Sequence, residues 1–163
     1  TPAGKVLVLN LVGRVFLNPN DCPFRKADEV LNGPDVRGRI VVVDMHAEAT
    51  SEKIVMGRYL DGRVSTVTGT HPHVQTSDEV ILHKGTAYLT DLGMTGVKDS
   101  AIGRELDSVI RMFLTGMPTK FDLAKGDPVL EGALVDVDAS TGRARSIKRL
   151  RETMTGTART ALG

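Results

Sequence analysis

Residues 39–46 read Arg39-Ile40-Val41-Val42-Val43-Asp44-Met45-His46, and this stretch decides the fold. A nearly continuous run of branched apolar residues suits a strand buried on both faces, as in a parallel sheet. The strand is expected from Arg39 to Asp44. A similar run, Lys5 to Leu11, precedes it and stops before Gly13. Between the two, Pro23 suits a helix start, Ala27, Val30 and Leu31 give a helical face, and Asn32-Gly33-Pro34 ends it. After the decisive strand, Thr50 or Ser51 can N-cap a helix that reaches about Leu60, with Gly62 as its stop. Val64 to Thr68 reads as a third strand. Glu79–Leu82 and Thr86–Thr90 read as a hairpin around His83-Lys84-Gly85, with Gly85 supplying positive φ and His83 a solvated turn residue. Ile102, Leu106, Val109/Ile110 and Phe113/Leu114 repeat at helical spacing, and Gly116 and Pro118 end that helix. Antiparallel strands are expected at Lys120–Leu123, Ala133–Val137 and Ala144–Leu150, the last two joined by a turn at Ser140-Thr141-Gly142. Strand, helix, strand, helix, strand and meander make an α/β fold with a mixed sheet.

Composition narrows the function classes. The chain has 163 residues, 40% hydrophobic and 25% charged, as in a soluble globular domain. Cys22 is the single cysteine, which excludes an intramolecular disulfide and a cysteine-based zinc module. It stands before a proline in a turn and reads as an inert thiol. No run approaches the roughly 20 apolar residues of a membrane helix. With balanced charge, this fits a cytoplasmic protein. Four Phe, two Tyr and no Trp are too few for a base-stacking platform. The 21 basic and 20 acidic residues create no global field for a polyanion. That balance hides an asymmetry: residues 141–163 hold six basic side chains and one acidic. Those cations either face Asp136 and Asp138 across a hairpin or form a phosphate- or RNA-binding patch. There is no nucleotide phosphate loop, no GxGxxG after a strand, no GxSxG and no HExxH.

The chemistry sits in histidines. His46 follows one strand, and His71 and His73 follow another. In extended backbone, residues i and i+2 share a side, so His71 and His73 are expected to project together, as are Asp44 and His46. Open α/β sheets put ligand sites outside the carboxyl ends of their strands. Three imidazoles and a carboxylate at one rim suit a divalent metal, with Asp44 as a ligand or as the group that orients one. Thr70 and Gln75 stand beside them and can bond substrate, ligand residues or the local backbone. Asp91 lies in a Gly-rich loop and is expected to serve the turn.

Gly69-Thr70-His71-Pro72-His73 resembles the G-H-x-H element of calcineurin-like metallophosphoesterases, with Thr70 inserted. Asn18-Pro19, Asp21–Arg25, Asp44–Lys53, Tyr59–Val64, Thr70–Thr76 and Thr90–Gly96 extend the likeness. Together they resemble a bacterial branch of that superfamily described as cyclic-nucleotide phosphodiesterases, from about Val6 to Leu150.

The resemblance implies a four-layer α/β/β/α metallophosphoesterase sandwich of which this chain supplies the C-terminal part. On that reading, 1–150 belong to the domain and 151–163 form a frayed polar tail. It also implies two divalent metal ions (Fe, Mn or Zn), His46 and His71 holding one and His73 the other. These would activate a hydroxide that attacks a small phosphodiester such as a 2′,3′- or 3′,5′-cyclic nucleotide. The family's carboxylate and Asn ligands and its leaving-group histidine come from N-terminal motifs, and no GDxxG-like or GNH-like motif occurs in this chain. No catalytic residue is therefore identified within it. Apolar surface is expected to be exposed where the rest of the sandwich packs. A homo-oligomer is compatible with this composition. The competing reading is a non-catalytic RNA-binding or assembly module that keeps the fold and uses Arg143–Arg151; nucleic acid is the less favoured partner.

Overall fold

The structure is a computed structural model and describes residues 4–36 and 39–154. Strands β1 (Val6–Val12), β2 (Ile40–His46), β3 (Thr66–Thr70), β4 (Val80–Ile81) and β5 (Ala87–Leu89) form one sheet in the order β1-β2-β3-β5-β4. β1, β2, β3 and β5 run parallel, and β4 pairs antiparallel with β5. Helix α1 (Pro23–Leu31) connects β1 to β2, and α2 (Thr50–Leu60) connects β2 to β3. These are two βαβ crossovers, as the apolar runs required.

The two faces of this sheet differ. Val41, Val43 and Met45 of β2 are buried against Ala27 of α1 and Met56 and Leu60 of α2. Each large side chain buried there stabilises the fold by roughly 1.5–3 kcal/mol. Ile40, Val42, Asp44 and His46 alternate onto the other face and are half-buried. β1 is an edge strand, and its Val6, Val8 and Val12 are 40%, 67% and 42% exposed.

α2 is not a simple amphipathic helix. Its buried stripe is Glu52, Lys53, Met56, Gly57 and Leu60, so two charges lie inside. Both have partners. The Glu52 carboxylate accepts the Arg14 N–H at 3.0 and 3.1 Å and the Val15 N–H at 3.3 Å, and so pins the loop after β1. Lys53 Nζ meets Asp91 Oδ2 at 2.9 Å with both side chains 1% exposed. Gly57 lies under the Tyr88 ring, where an added Cβ would stand 2.4 Å from Cδ2.

The chain has two compact units, 1–93 with 133–149, and 94–132 with 150–163. The sheet above belongs to the first. The second contains β6 (Thr95–Val97) and α3 (Leu106–Thr115), and β7 (Pro128–Val137) and β8 (Ala144–Thr153) each run from one unit into the other. β6, β7 and β8 are neighbours in a three-stranded sheet. α3 ends at Gly116, which is left-handed at φ 66°. None of its residues is buried, and Phe113 and Leu114 are 76% and 82% exposed. Among the described residues no helix is long and apolar enough to cross a membrane.

Several boundaries differ from expectation, each for a local reason. β2 continues to His46 because the pairing with β1 and β3 continues that far. β3 likewise starts and ends two residues late, at Thr66 and Thr70. The N-cap of α2 is Ala49, whose carbonyl accepts the Glu52 and Lys53 N–H groups; neither Thr50 nor Ser51 caps it. α3 starts at Leu106, since Ile102 and Gly103 adopt φ 46° and 94° in a tight turn. Lys120–Leu123 is no strand and makes a single bridge, Arg104 to Leu123. β8 includes residues 151–153 of the expected tail, and residues 155–163 of that tail lie outside the described ones.

Gly57→Ala weighs helix propensity against packing. Removing a helical glycine gains about 1 kcal/mol, but an overpacked core costs about 1–3 kcal/mol. The Tyr88 ring is held by its hydroxyl, 2.9 Å from Thr90 Oγ1, and cannot swing aside freely. Thermal unfolding of Gly57→Ala should therefore show a lowered Tm; a raised Tm would mean the ring gives way.

Candidate metal centre

The site forms at the carboxyl ends of β1, β2 and β3. Parallel register places Asn10 beside Asp44 and His46 beside Thr70. Asn10 Nδ2 donates to Asp44 Oδ2 at 2.5 Å, and Thr70 Oγ1 donates to Asp44 Oδ1 at 2.7 Å. His46 Nδ1 lies 3.0 Å from Thr70 Oγ1. The Thr70 hydroxyl has one hydrogen, and Asp44 takes it, so Thr70 accepts from His46 Nδ1–H. This leaves His46 Nε2 as a bare acceptor.

His71 is fixed from its other side. Its Nε2 lies 3.1 Å from Glu48 Oε2, an acceptor, so the ring proton belongs on Nε2. That leaves His71 Nδ1 bare, and it faces His46 Nε2 at 3.2 Å. The rings meet edge to face with centroids 4.9 Å apart. With the protons so assigned, none lies between the two nitrogens, and a cation bound by both would take that place. Two imidazole nitrogens at about 2.0–2.1 Å from one ion, at a tetrahedral or right angle, stand about 2.8–3.4 Å apart. The donor pair therefore fits a divalent metal.

His73 is placed differently. The extended backbone ends at Thr70, and His71 and His73 take φ 116° and 64°. The i, i+2 alternation of extended backbone therefore does not apply to these two residues. Each such conformation costs of order 1–3 kcal/mol and persists where the surroundings hold it. His73 is exposed. Among the described residues no three His, Cys, Asp or Glu side chains converge as a ready metal set.

The loops around the site are pinned from below. Asp91 is a structural residue: its Oδ2 binds Lys53 and its Oδ1 accepts the Gly93 N–H at 2.9 Å. Thr76 Oγ1 accepts the Asp91 N–H at 2.9 Å, and Gln75 Nε2 donates to the Leu92 carbonyl at 3.2 Å. Gln75 thus bonds loop backbone, while Asp44 and Thr70 orient His46. Gly69 is needed where β3 passes this layer, since a Cβ would stand 1.8 Å from the Thr90 carbonyl oxygen.

Sequence reasoning missed Asn10 and Glu48. Asn10 gains its role only from register. Glu48 carries a visible signal, its position two residues past His46. Cys22 also departs from expectation. It stands at the N-cap of α1, and the Arg25 N–H, with that of Phe24, holds its thiol below the usual cysteine range.

Of the basic hairpin residues, three have carboxylate partners. Arg145 meets Asp136 at 2.9 Å, Arg149 meets Glu79 at 2.9 Å and Arg151 meets Glu131 at 3.1 Å. The Arg145 pair is the cross-hairpin arrangement expected of a solvated strand, and Asp138 instead accepts from Ser140.

The family model for YmdB-like proteins matches residues 1–150. The chain belongs to the YmdB-like family. This YmdB-like chain is 49% identical over 148 residues to a Bacillus subtilis protein named 2′,3′-cyclic-nucleotide 2′-phosphodiesterase, covering 90% of itself and 56% of that relative. It superposes on the crystal structure of a hypothetical protein from Thermus thermophilus with TM-score 0.85 at 41% identity, covering 92% of this chain and 58% of that one. A Mycoplasma pneumoniae structure described as a novel phosphatase gives TM-score 0.83 at 34% identity, covering 93% and 54%. The chain thus spans little more than half the length of the relatives it matches.

Two outcomes follow from this geometry. Asp91→Asn strands the Lys53 ammonium in the core, which costs about 3–5 kcal/mol; chemical denaturation should show that loss, and a change below about 1 kcal/mol would refute the pair's role. A lowered thiol pKa means more thiolate at any pH below the ordinary cysteine value. Alkylation of Cys22, followed by peptide mass, should therefore outpace that of an unstructured cysteine peptide at neutral pH. An equal or slower rate contradicts the lowered thiol pKa.

Proposed function

We propose that this chain contributes the histidine side of a metal centre in a phosphodiesterase acting on small phosphodiesters, 2′,3′-cyclic nucleotides foremost. One observation carries the reading: His46 Nε2 and His71 Nδ1 face each other at 3.2 Å, while Thr70 and Glu48 engage the opposite ring nitrogens. Neutral imidazoles of this kind suit Fe, Mn-containing or Zn sites. The likeness to a protein named as a cyclic-nucleotide phosphodiesterase supports the substrate class.

His46 and His71 would hold one ion, and His73, at the exposed rim, a second. When bound, divalent metal supplies positive charge for a phosphate group and makes an associated water more acidic. The protein's part is orientation. Asn10 and Thr70 hold Asp44, Thr70 holds the His46 ring, and Glu48 holds the His71 ring, so neither imidazole must reorganise on binding. None of these residues needs to act as a nucleophile. The carboxylate and Asn ligands would come from outside these 163 residues, as would the layers that complete the four-layer sandwich over the exposed face of β1.

The test uses the full-length protein. Chelation should abolish turnover of a 2′,3′-cyclic nucleotide, and returning Mn²⁺, Fe²⁺ or Zn²⁺ should restore it. His71→Ala should lose bound metal by elemental analysis and lose turnover together. Glu48→Gln, which weakens the support for one ligand, should lower metal affinity about 10–100-fold. Full turnover by the chelated protein, or by His71→Ala with its metal content intact, would overturn the assignment.

A further inference from the structure

A cavity lies at the other end of the main sheet. Arg39 precedes β2, and Val64 and Ser65 precede β3, so these residues stand at the amino ends of strands whose carboxyl ends carry His46 and Thr70. A seven-residue strand separates the two ends by roughly 20 Å. At the amino end, a cavity of about 200 Å³ is lined by Arg39, Arg63, Ser65, Gly142 and Arg143 among others, and none of the described lining residues is acidic.

The cavity is built by specific contacts. The turn after β7 is held by Asp138, whose carbonyl accepts the Gly142 N–H at 2.7 Å. Gly142 sits at φ 71°, and a Cβ there would stand 3.9 Å from Ser65 Oγ. The stem of Arg143 packs on Gly85, where a Cβ would lie 3.1 Å from its Cγ and Cδ. Ser65 is 1% exposed, and its Oγ accepts the Val41 N–H at 3.2 Å. Its own hydroxyl hydrogen is left for an acceptor in the cavity. Arg63 is steadied by Asp28 at 2.7 Å and lies over the Tyr59 ring. That carboxylate offsets part of the positive charge at this end of the sheet.

From this we infer that the cavity is a binding site for a phosphate dianion, free or as the terminal group of a monoester. Guanidinium groups match tetrahedral oxyanions with paired N–H donors. A phosphate carries about one and a half to two negative charges at neutral pH, which suits a cavity whose described lining includes three arginines, Arg63 sharing its charge with Asp28. The cavity is below the roughly 300 Å³ at which sites enclose whole small molecules. It therefore takes the phosphate group, and any remainder of the ligand projects outward. The site is independent of the histidine centre and stands whether or not that centre holds metal.

The test is calorimetric titration of the full-length protein with inorganic phosphate and, separately, with glycerol 3-phosphate, at constant ionic strength set with chloride. Chelator and a His71→Ala background remove phosphate binding at the histidine site. Saturable binding of one equivalent should persist there, and Arg143→Gln should weaken it at least tenfold while leaving the circular dichroism spectrum and Tm unchanged. Arg39→Gln should weaken it likewise. Tighter phosphate assigns the free anion, and tighter glycerol 3-phosphate assigns a monoester; both support the site. Absence of binding in the chelated His71→Ala protein, or binding that both arginine variants retain in full, overturns it.

Discussion

The parallel register of β1, β2 and β3 is the constraint on which the candidate centre depends. Asn10, Asp44 and Thr70 come from three strands, and only that register lets both Asp44 oxygens be occupied at once. Because both are occupied, the Thr70 hydrogen is committed and the His46 proton has one place to go. A slip of one residue would turn every one of these side chains to the helical face. The apolar residues of β2 that bury against α1 and α2 therefore set the tautomer of a histidine on the opposite face.

Rigidity beneath the site comes from charges inside the fold. α2 sends Glu52 to the loop after β1 and Lys53 to the loop after β5. A buried ion pair is weak evidence of net stability, since desolvation offsets much of the attraction. Its value here is positional: the loop after β1 bonds the His46 carbonyl through Gly13, the loop after β5 bonds Thr76, and both are held from one helix. The same helix thus carries two of the connections that keep the rim in place, and its low apolarity follows from that work.

Most of the first unit is legible in the sequence. The βαβαβ order, the hairpin at Gly85 and the Ser140–Gly142 turn all follow from apolar runs and turn residues. What misleads is periodicity carried past its domain. Alternation predicts the shared face of Asp44 and His46 because β2 is extended there, but has no footing at His71 and His73 because the chain leaves the extended region after Thr70. Capping residues mislead in the same way at Thr50, where backbone bonding to Ala49 suffices. Asn10 and the phosphate cavity are invisible in sequence for a different reason. Each joins residues more than twenty positions apart whose meeting depends on strand pairing and on the β7–β8 turn. The resemblance that names His46 as a ligand says nothing of why its Nε2 is bare; the hydrogen bonds do.

The histidine centre rests on one property: the fold, without metal, holds both imidazoles with their bare nitrogens turned to each other. Side-chain nitrogen NMR of the chelated full-length protein reads this directly, because protonated and bare ring nitrogens differ widely in shift. The His46 proton should be found on Nδ1 and the His71 proton on Nε2, with Zn²⁺ moving His46 Nε2 and His71 Nδ1 together. A His46 proton on Nε2, with neither ring responding to Zn²⁺, would contradict it.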